Sequence, residues 1–102
     1  MKQYTTPEQT AKLIELGLPK PRYYCADKYT IIHTGFDIIN YSVGELIEML
    51  PTIVDDFTLW IGRDERSDQW FVKYSPRSLK LVDELIDALY DMLVKLKEEG
   101  VI

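Results

Sequence analysis

The stretch that decides the fold is residues 76–99, PRSLKLVDELIDALYDMLVKLKEE. Leu79, Val82, Ile86, Leu89, Leu93 and Leu96 recur at alternating spacings of three and four, and Leu81, Leu85, Ala88 and Met92 widen the stripe. An apolar face that broad predicts a helix packed against a core. Ser75 is placed to cap it, Pro76 suits its first position, and Gly100 suits its end. Asp83, Glu84 and Asp87 fall early and Lys95 and Lys97 late, as the helix dipole favours. Leu89, in the middle of the stripe, is expected to be fully buried.

Upstream, Phe57–Tyr74 reads as a β-hairpin. Phe57, Leu59 and Ile61 alternate with Thr58 and Trp60; Trp70, Val72 and Tyr74 alternate with Phe71 and Lys73. A polar loop, Asp64–Ser67, then pairs Arg63 with Asp68, Leu59 with Val72, and Trp60 with Phe71. Two short helices are marked by capping boxes, in which a hydroxyl and a Glu or Gln three residues on satisfy each other's backbone donors. Thr6 and Gln9 start one at 7–16, stopped by Gly17, Pro19 and Pro21; Ser42 and Glu45 start another at 43–50, closed by Pro51. Between them, Tyr29–His33 and Phe36–Asn40 are strand candidates. The reading is a single α+β domain over residues 1–102. An antiparallel two- or three-stranded sheet packs against a long C-terminal helix, with two short helices closing the core.

The chain has 102 residues, 46% hydrophobic and 28% charged, with a net charge of −5. One domain of that size supports its own core. The acidity disfavours nucleic acid and anionic membranes as partners. The single cysteine points to a cytoplasmic protein without disulfides. No apolar run reaches membrane-spanning length, and the start, Met1–Thr6, does not lead into a secretory signal. The charge is uneven: residues 1–36 carry +2 and residues 37–68 carry −6.

Catalytic and metal chemistry find little footing. Cys25 and His33 are the sole Cys and His, and they form a nucleophile–base pair only if the chain folds back between them. No Cys or His spacing suits zinc, and Asp64–Asp68 lacks the glycine and distant glutamate of a calcium loop. The glycines are scattered, so no phosphate loop is present. Neither a cofactor nor a metal is expected, and the chain is read as non-enzymatic. Asp55-Asp56 reads as a loop or an edge guard.

Two features suggest binding instead. Trp60 and Phe71 fall on the hairpin face opposite Ile61 and Trp70, so helices on one side leave them as an aromatic patch. Asp83, Asp87 and Asp91 stand at i, i+4 and i+8, an acidic row on the C-terminal helix. A third mixture, Lys12, Lys20, Arg22 and Lys28 with Tyr23, Tyr24 and Tyr29, suits weak nucleic-acid contact.

Tyr41–Leu46 is similar to the opening of a MerR-type helix-turn-helix. The Arg22-Tyr23-Tyr24 that would follow it there precedes it here, so no DNA-contacting role is carried over. Three longer blocks, Thr6–Gly17, Tyr41–Pro51 and Glu84–Gly100, make up 40 of the 102 residues. Together they resemble small uncharacterised proteins from prophages and mobile elements of gut Bacteroidales. That resemblance implies a mobile-element origin and brings no catalytic residue, cofactor or partner. The expected function is that of a small cytoplasmic accessory protein acting by protein–protein binding, with an unidentified protein or a second copy of the chain as partner. The alternatives are an acidic decoy for a DNA-binding protein and a weak nucleic-acid binder through residues 12–29.

Overall fold

The structure is a computed structural model and describes residues 2–21, 40–75 and 77–102. The strand candidate Tyr29–His33, most of Phe36–Asn40, and both Cys25 and His33 lie outside the described residues.

Helix α1 is Pro7–Glu15. Thr6 Oγ1 accepts from the Gln9 amide at 3.1 Å, and Gln9 Oε1 accepts from the Thr6 amide at 3.0 Å. At its end Gly17 takes φ +91°, a left-handed conformation that glycine adopts without a steric penalty, and Leu18 N–H reaches back to Leu13 O. Helix α2 is Val43–Met49, started by the matching Ser42–Glu45 box. Leu50 leaves it in extended conformation before Pro51, as residues preceding proline favour.

Hydroxyls join these two helices. Thr10 Oγ1 donates to Asn40 Oδ1 at 2.7 Å, so its lone pair accepts from Thr5 Oγ1, also at 2.7 Å. Thr5 Oγ1 in turn accepts from the Tyr41 amide at 3.0 Å, and the Thr5 amide donates to Tyr41 O at 2.9 Å. Thr5, Thr10 and Asn40 are all buried, and the relay satisfies the polar groups that this burial removes from water.

Five short strands follow. β1 (Ile53–Val54) pairs with β2 (Phe57–Thr58), and β3 (Trp60–Arg63), β4 (Trp70–Tyr74) and β5 (Arg77–Ser78) form an antiparallel sheet in that order. The β1–β2 link is Asp55-Asp56, both at positive φ (50° and 69°). Two left-handed residues in a two-residue loop make a type I′ turn, whose twist matches the strands. Asp55-Asp56 is thus a hairpin turn, and Phe57 belongs to this small hairpin instead of the long one. Leu59 is the handover point: its amide donates to Thr52 O, while the next residue, Trp60, pairs with Lys73.

The β3–β4 register differs from the sequence expectation by two. Ile61 faces Val72, Gly62 faces Phe71 and Arg63 faces Trp70, so Leu59 does not face Val72 and Trp60 does not face Phe71. The loop has the expected four residues but lies one position later, at 65–68. Asp64 is the cause. Its carboxylate accepts from both the amide and the hydroxyl of Ser67 at 2.9 Å, and Asp68 closes the turn at φ +59°. Asp64 N–H then pairs with Gln69 O, which sets the register. A shift of two preserves each residue's face, so the inward pattern of Ile61, Val72 and Tyr74 stands.

Helix α3 is Leu85–Glu98, 14 residues, not the full span from Pro76. Residues 77–82 run along the far edge of β4: Arg77 pairs with Tyr74, Ser78 with Lys73, and Trp70 exchanges both backbone bonds with Val82 at 2.7 and 3.1 Å. An uncovered edge there would leave backbone groups of the central strand unpaired, and this outweighs local helical spacing. Leu79 and Val82 pack on the core from an extended chain. The helix consequently begins at Glu84, which makes no side-chain cap bond, and Ser75 has no capping role.

The core is α3 against the inner sheet face and the two short helices. Ile86, Leu89, Met92, Leu93 and Leu96 have no exposed surface; they meet Val72 and Tyr74 of β4, Leu46 and Leu50 of α2, and Leu13 of α1. Ile61 packs at the margin, while Phe57 is 42% exposed.

Candidate protein-binding face

Directly paired residues share a sheet face, and neighbours along a strand alternate. Val72 and Tyr74 point to the helices. Trp60, Gly62, Phe71 and Lys73 point the other way, and Ile53, paired with Thr58, joins them. The contrast is sharp: Val72 and Tyr74 are 3% and 0% exposed, and Trp60 and Ile53 are 60% and 59% exposed.

The face is ordered by its own contacts. Phe71 lies across Gly62, where the missing side chain makes room for the ring. Lys73 Nζ stands 5.1 Å from the Phe71 ring centre, a cation–π contact. On the inner side, Arg63 lies 5.1 Å from the Trp70 ring centre and bonds Asp68 at 2.8 Å. Among the described residues, Trp60 is thus the large apolar group with the least cover, beside a ring and a cation already held in place. Ile53 escaped the sequence reading because its face depends on the Asp55-Asp56 turn; two polar residues between Ile53-Val54 and Phe57-Thr58 were the available signal.

The three candidate acids do not form a row. Asp83 precedes α3 and accepts from Gln69 Nε2 at 3.0 Å. Asp87 accepts from Gln9 Nε2 at 2.8 Å, with Lys2 Nζ at 3.5 Å, and so ties α3 to α1 and the N-terminal segment. Asp91 sits on an open groove of about 540 Å³ between the Leu79-Lys80 segment and α3, lined also by Val94, Lys95 and Glu98. Burial raises its carboxyl pKa, the Asp87 charge adds to this, and Lys80 opposes it. The register of three on one helix face fails because Asp83 lies outside the helix.

A second hollow, about 250 Å³, lies between Pro19-Lys20 and α2, where the Tyr41 hydroxyl donates to Pro19 O. At the opposite edge Arg77 bonds Asp55 at 2.7 Å and faces Glu99 at 3.5 Å, which anchors the type I′ turn to the end of α3. Among the described residues, no group of three or more His, Cys, Asp or Glu is arranged to hold a metal ion, and no helix is long and apolar enough to cross a membrane. Of the basic-aromatic segment, Lys12 and Lys20 are described and Arg22–Tyr29 are not.

No protein-family model matches the chain, and no curated protein or solved structure matches it. The fold class is α+β, with an antiparallel sheet packed on a C-terminal helix.

Proposed function

We propose that this is a small cytoplasmic accessory protein that acts by binding another protein through the outer face of its sheet, around Trp60 and Phe71, and that it derives from a prophage or other mobile element. The observation that supports the binding reading is the 60% exposure of Trp60, on the face opposite the buried Val72 and Tyr74. Large aromatic side chains with a desolvatable surface are the residues on which protein interfaces concentrate their energy. The reading assigns no catalytic step and no cofactor. An acidic-decoy reading would rest on a broad row of acids, and Asp83 and Asp87 are instead engaged within the fold.

A photo-crosslinking residue at position 60, compared with one at the exposed position Glu98, tests the face in cells of the native host. The expected result is a discrete protein adduct from position 60 alone. Adducts of equal yield from both positions, or none from position 60, would refute it.

A further inference from the structure

Among the described residues, the outer face ends at an open backbone edge. In an antiparallel ladder, hydrogen-bonded and non-bonded pairs alternate. Asp64 N–H bonds Gln69 O, so 64/69, 62/71 and 60/73 are the bonded pairs of β3 and β4. The amides and carbonyls of Ile61 and Arg63 therefore point away from β4. The same parity sends the Leu59 amide outward, and there Thr52 takes it. Among the described residues no hydrogen bond reaches the outward groups of Ile61 or Arg63. β3 thus offers two donors and two acceptors in a row, bounded by Thr52 at one end and the 65–68 loop at the other.

Proteins usually blunt such an edge with proline, a bulge or an inward charge. β3, Trp60-Ile61-Gly62-Arg63, has neither a proline nor a bulge, and its single charge is engaged with Asp68. Two of the cations nearby are paired with acids, Arg63 with Asp68 and Arg77 with Asp55, and Lys73 is held over the Phe71 ring with its charge intact. Asp64 and Glu65 at the tip are balanced by Arg66 alone. A strand laid along Ile61–Arg63 would meet Trp60 on the outer face and an acidic field at its end.

We propose that β3 captures a basic, extended segment of a partner protein as an added antiparallel or parallel strand, bonded to Ile61 and Arg63 and covered by Trp60. This deepens the binding-face reading and rests on it. Backbone bonds of this kind give affinity, and alternate side chains give selectivity. A second copy of the chain would fit the edge by a two-fold axis at Gly62, but two chains of net charge −5 repel each other. Nucleic acid meets the same repulsion.

The test is a titration of the full chain with a capped peptide of alternating lysine and valine, followed by backbone amide resonances. The expected result is that the Ile61 and Arg63 amides shift and exchange more slowly, together with the Trp60 indole. Replacing every lysine of the peptide by glutamate should weaken binding about tenfold or more, which is about 1.4 kcal/mol. Arg63→Pro removes one outward donor without touching a β3–β4 bond and should weaken binding to a similar extent; Arg63→Ala, which keeps the N–H, should not. A peptide N-methylated along its bonding edge makes the same comparison without altering the protein. Equal binding by the N-methylated peptide, or no amide shift at about 1 mM peptide, would overturn strand capture. Shifts confined to the Trp60 and Phe71 side chains would overturn it while leaving the face reading in place. Amide shifts at Ile61 and Arg63 without a crosslink from position 60 would support the edge and remove the face. A dimer in ultracentrifugation that Arg63→Pro abolishes would assign the edge to a second copy and overturn the proposal.

Discussion

Phe71 occupies the space that a side chain at Gly62 would fill: a Cβ built at position 62 would stand 2.7 Å from Phe71 Cζ. The two residues are direct partners across β3 and β4, and the ring is half-buried on the outer face. Gly62→Ala therefore displaces a ring that can swing outward. The lost contact is offset by alanine's smaller loss of backbone entropy, about 0.5–1 kcal/mol. Stability should change by less than about 1 kcal/mol, while the Phe71 ring moves off the strand. Denaturant melts and the Phe71 ring-proton shifts measure the two effects separately; a loss of several kcal/mol would mean that the ring is locked in place.

Leu89 and Asp87 test the direction of α3. Leu89 has no exposed surface, and Leu89→Ala should cost about 2–5 kcal/mol, a large share of a small domain's stability. Asp87 faces Gln9 and Lys2, so Asp87→Ala should lose about 0.5–1.5 kcal/mol even though it also relieves repulsion with Asp91. Urea titration of both variants gives the comparison, and a neutral Leu89→Ala would contradict the packing.

Asp56 holds φ +69° at the second position of the type I′ turn, where glycine is the preferred residue. Asp56→Gly should stabilise the protein by up to about 1 kcal/mol. Asp55→Gly should gain less, because it also breaks the 2.7 Å bond to Arg77. Thermal melts of the two variants at equal ionic strength separate turn strain from the ion pair.

Asp91 gives a pH dependence with a definite sign. Its folded pKa is raised, chiefly by burial and then by Asp87. A carboxyl of this kind favours the folded state when protonated. That contribution is complete below the ordinary carboxylate pKa of about 4 and is lost as pH rises through the folded value. Asp91→Asn should therefore be more stable than the parent at pH 7, and the difference should shrink as pH falls toward about 4. A stability difference that grows on acidification would show that the charged form is the favoured one.

Both short helices were legible in the sequence because their starts are local. A hydroxyl and a Glu or Gln three residues apart close a ring of bonds that needs nothing from the rest of the chain, and α1 and α2 begin where those pairs lie. The inward faces of β3 and β4 and the burial of Leu89 were legible for a related reason: apolar period alone assigns a side chain to a face. The same period could not place the start of α3. Leu79 and Val82 continue the helical spacing of Ile86 and Leu89, yet they pack against the core, partly buried, from an extended chain. The open edge of β4 decided between the two, through Trp70 and Val82, and that edge exists only once β3 and β4 have paired. The register also lay beyond the pattern, because a shift of two leaves every face unchanged. It was decided by the bonds of Asp64 to Ser67 and by the left-handed backbone of Asp68. Of the candidate face, Trp60 and Phe71 were visible in the sequence; Ile53 and the open edge at Ile61 and Arg63 were not. Side-chain period belongs to the chain itself, whereas backbone pairing depends on which strand arrives alongside.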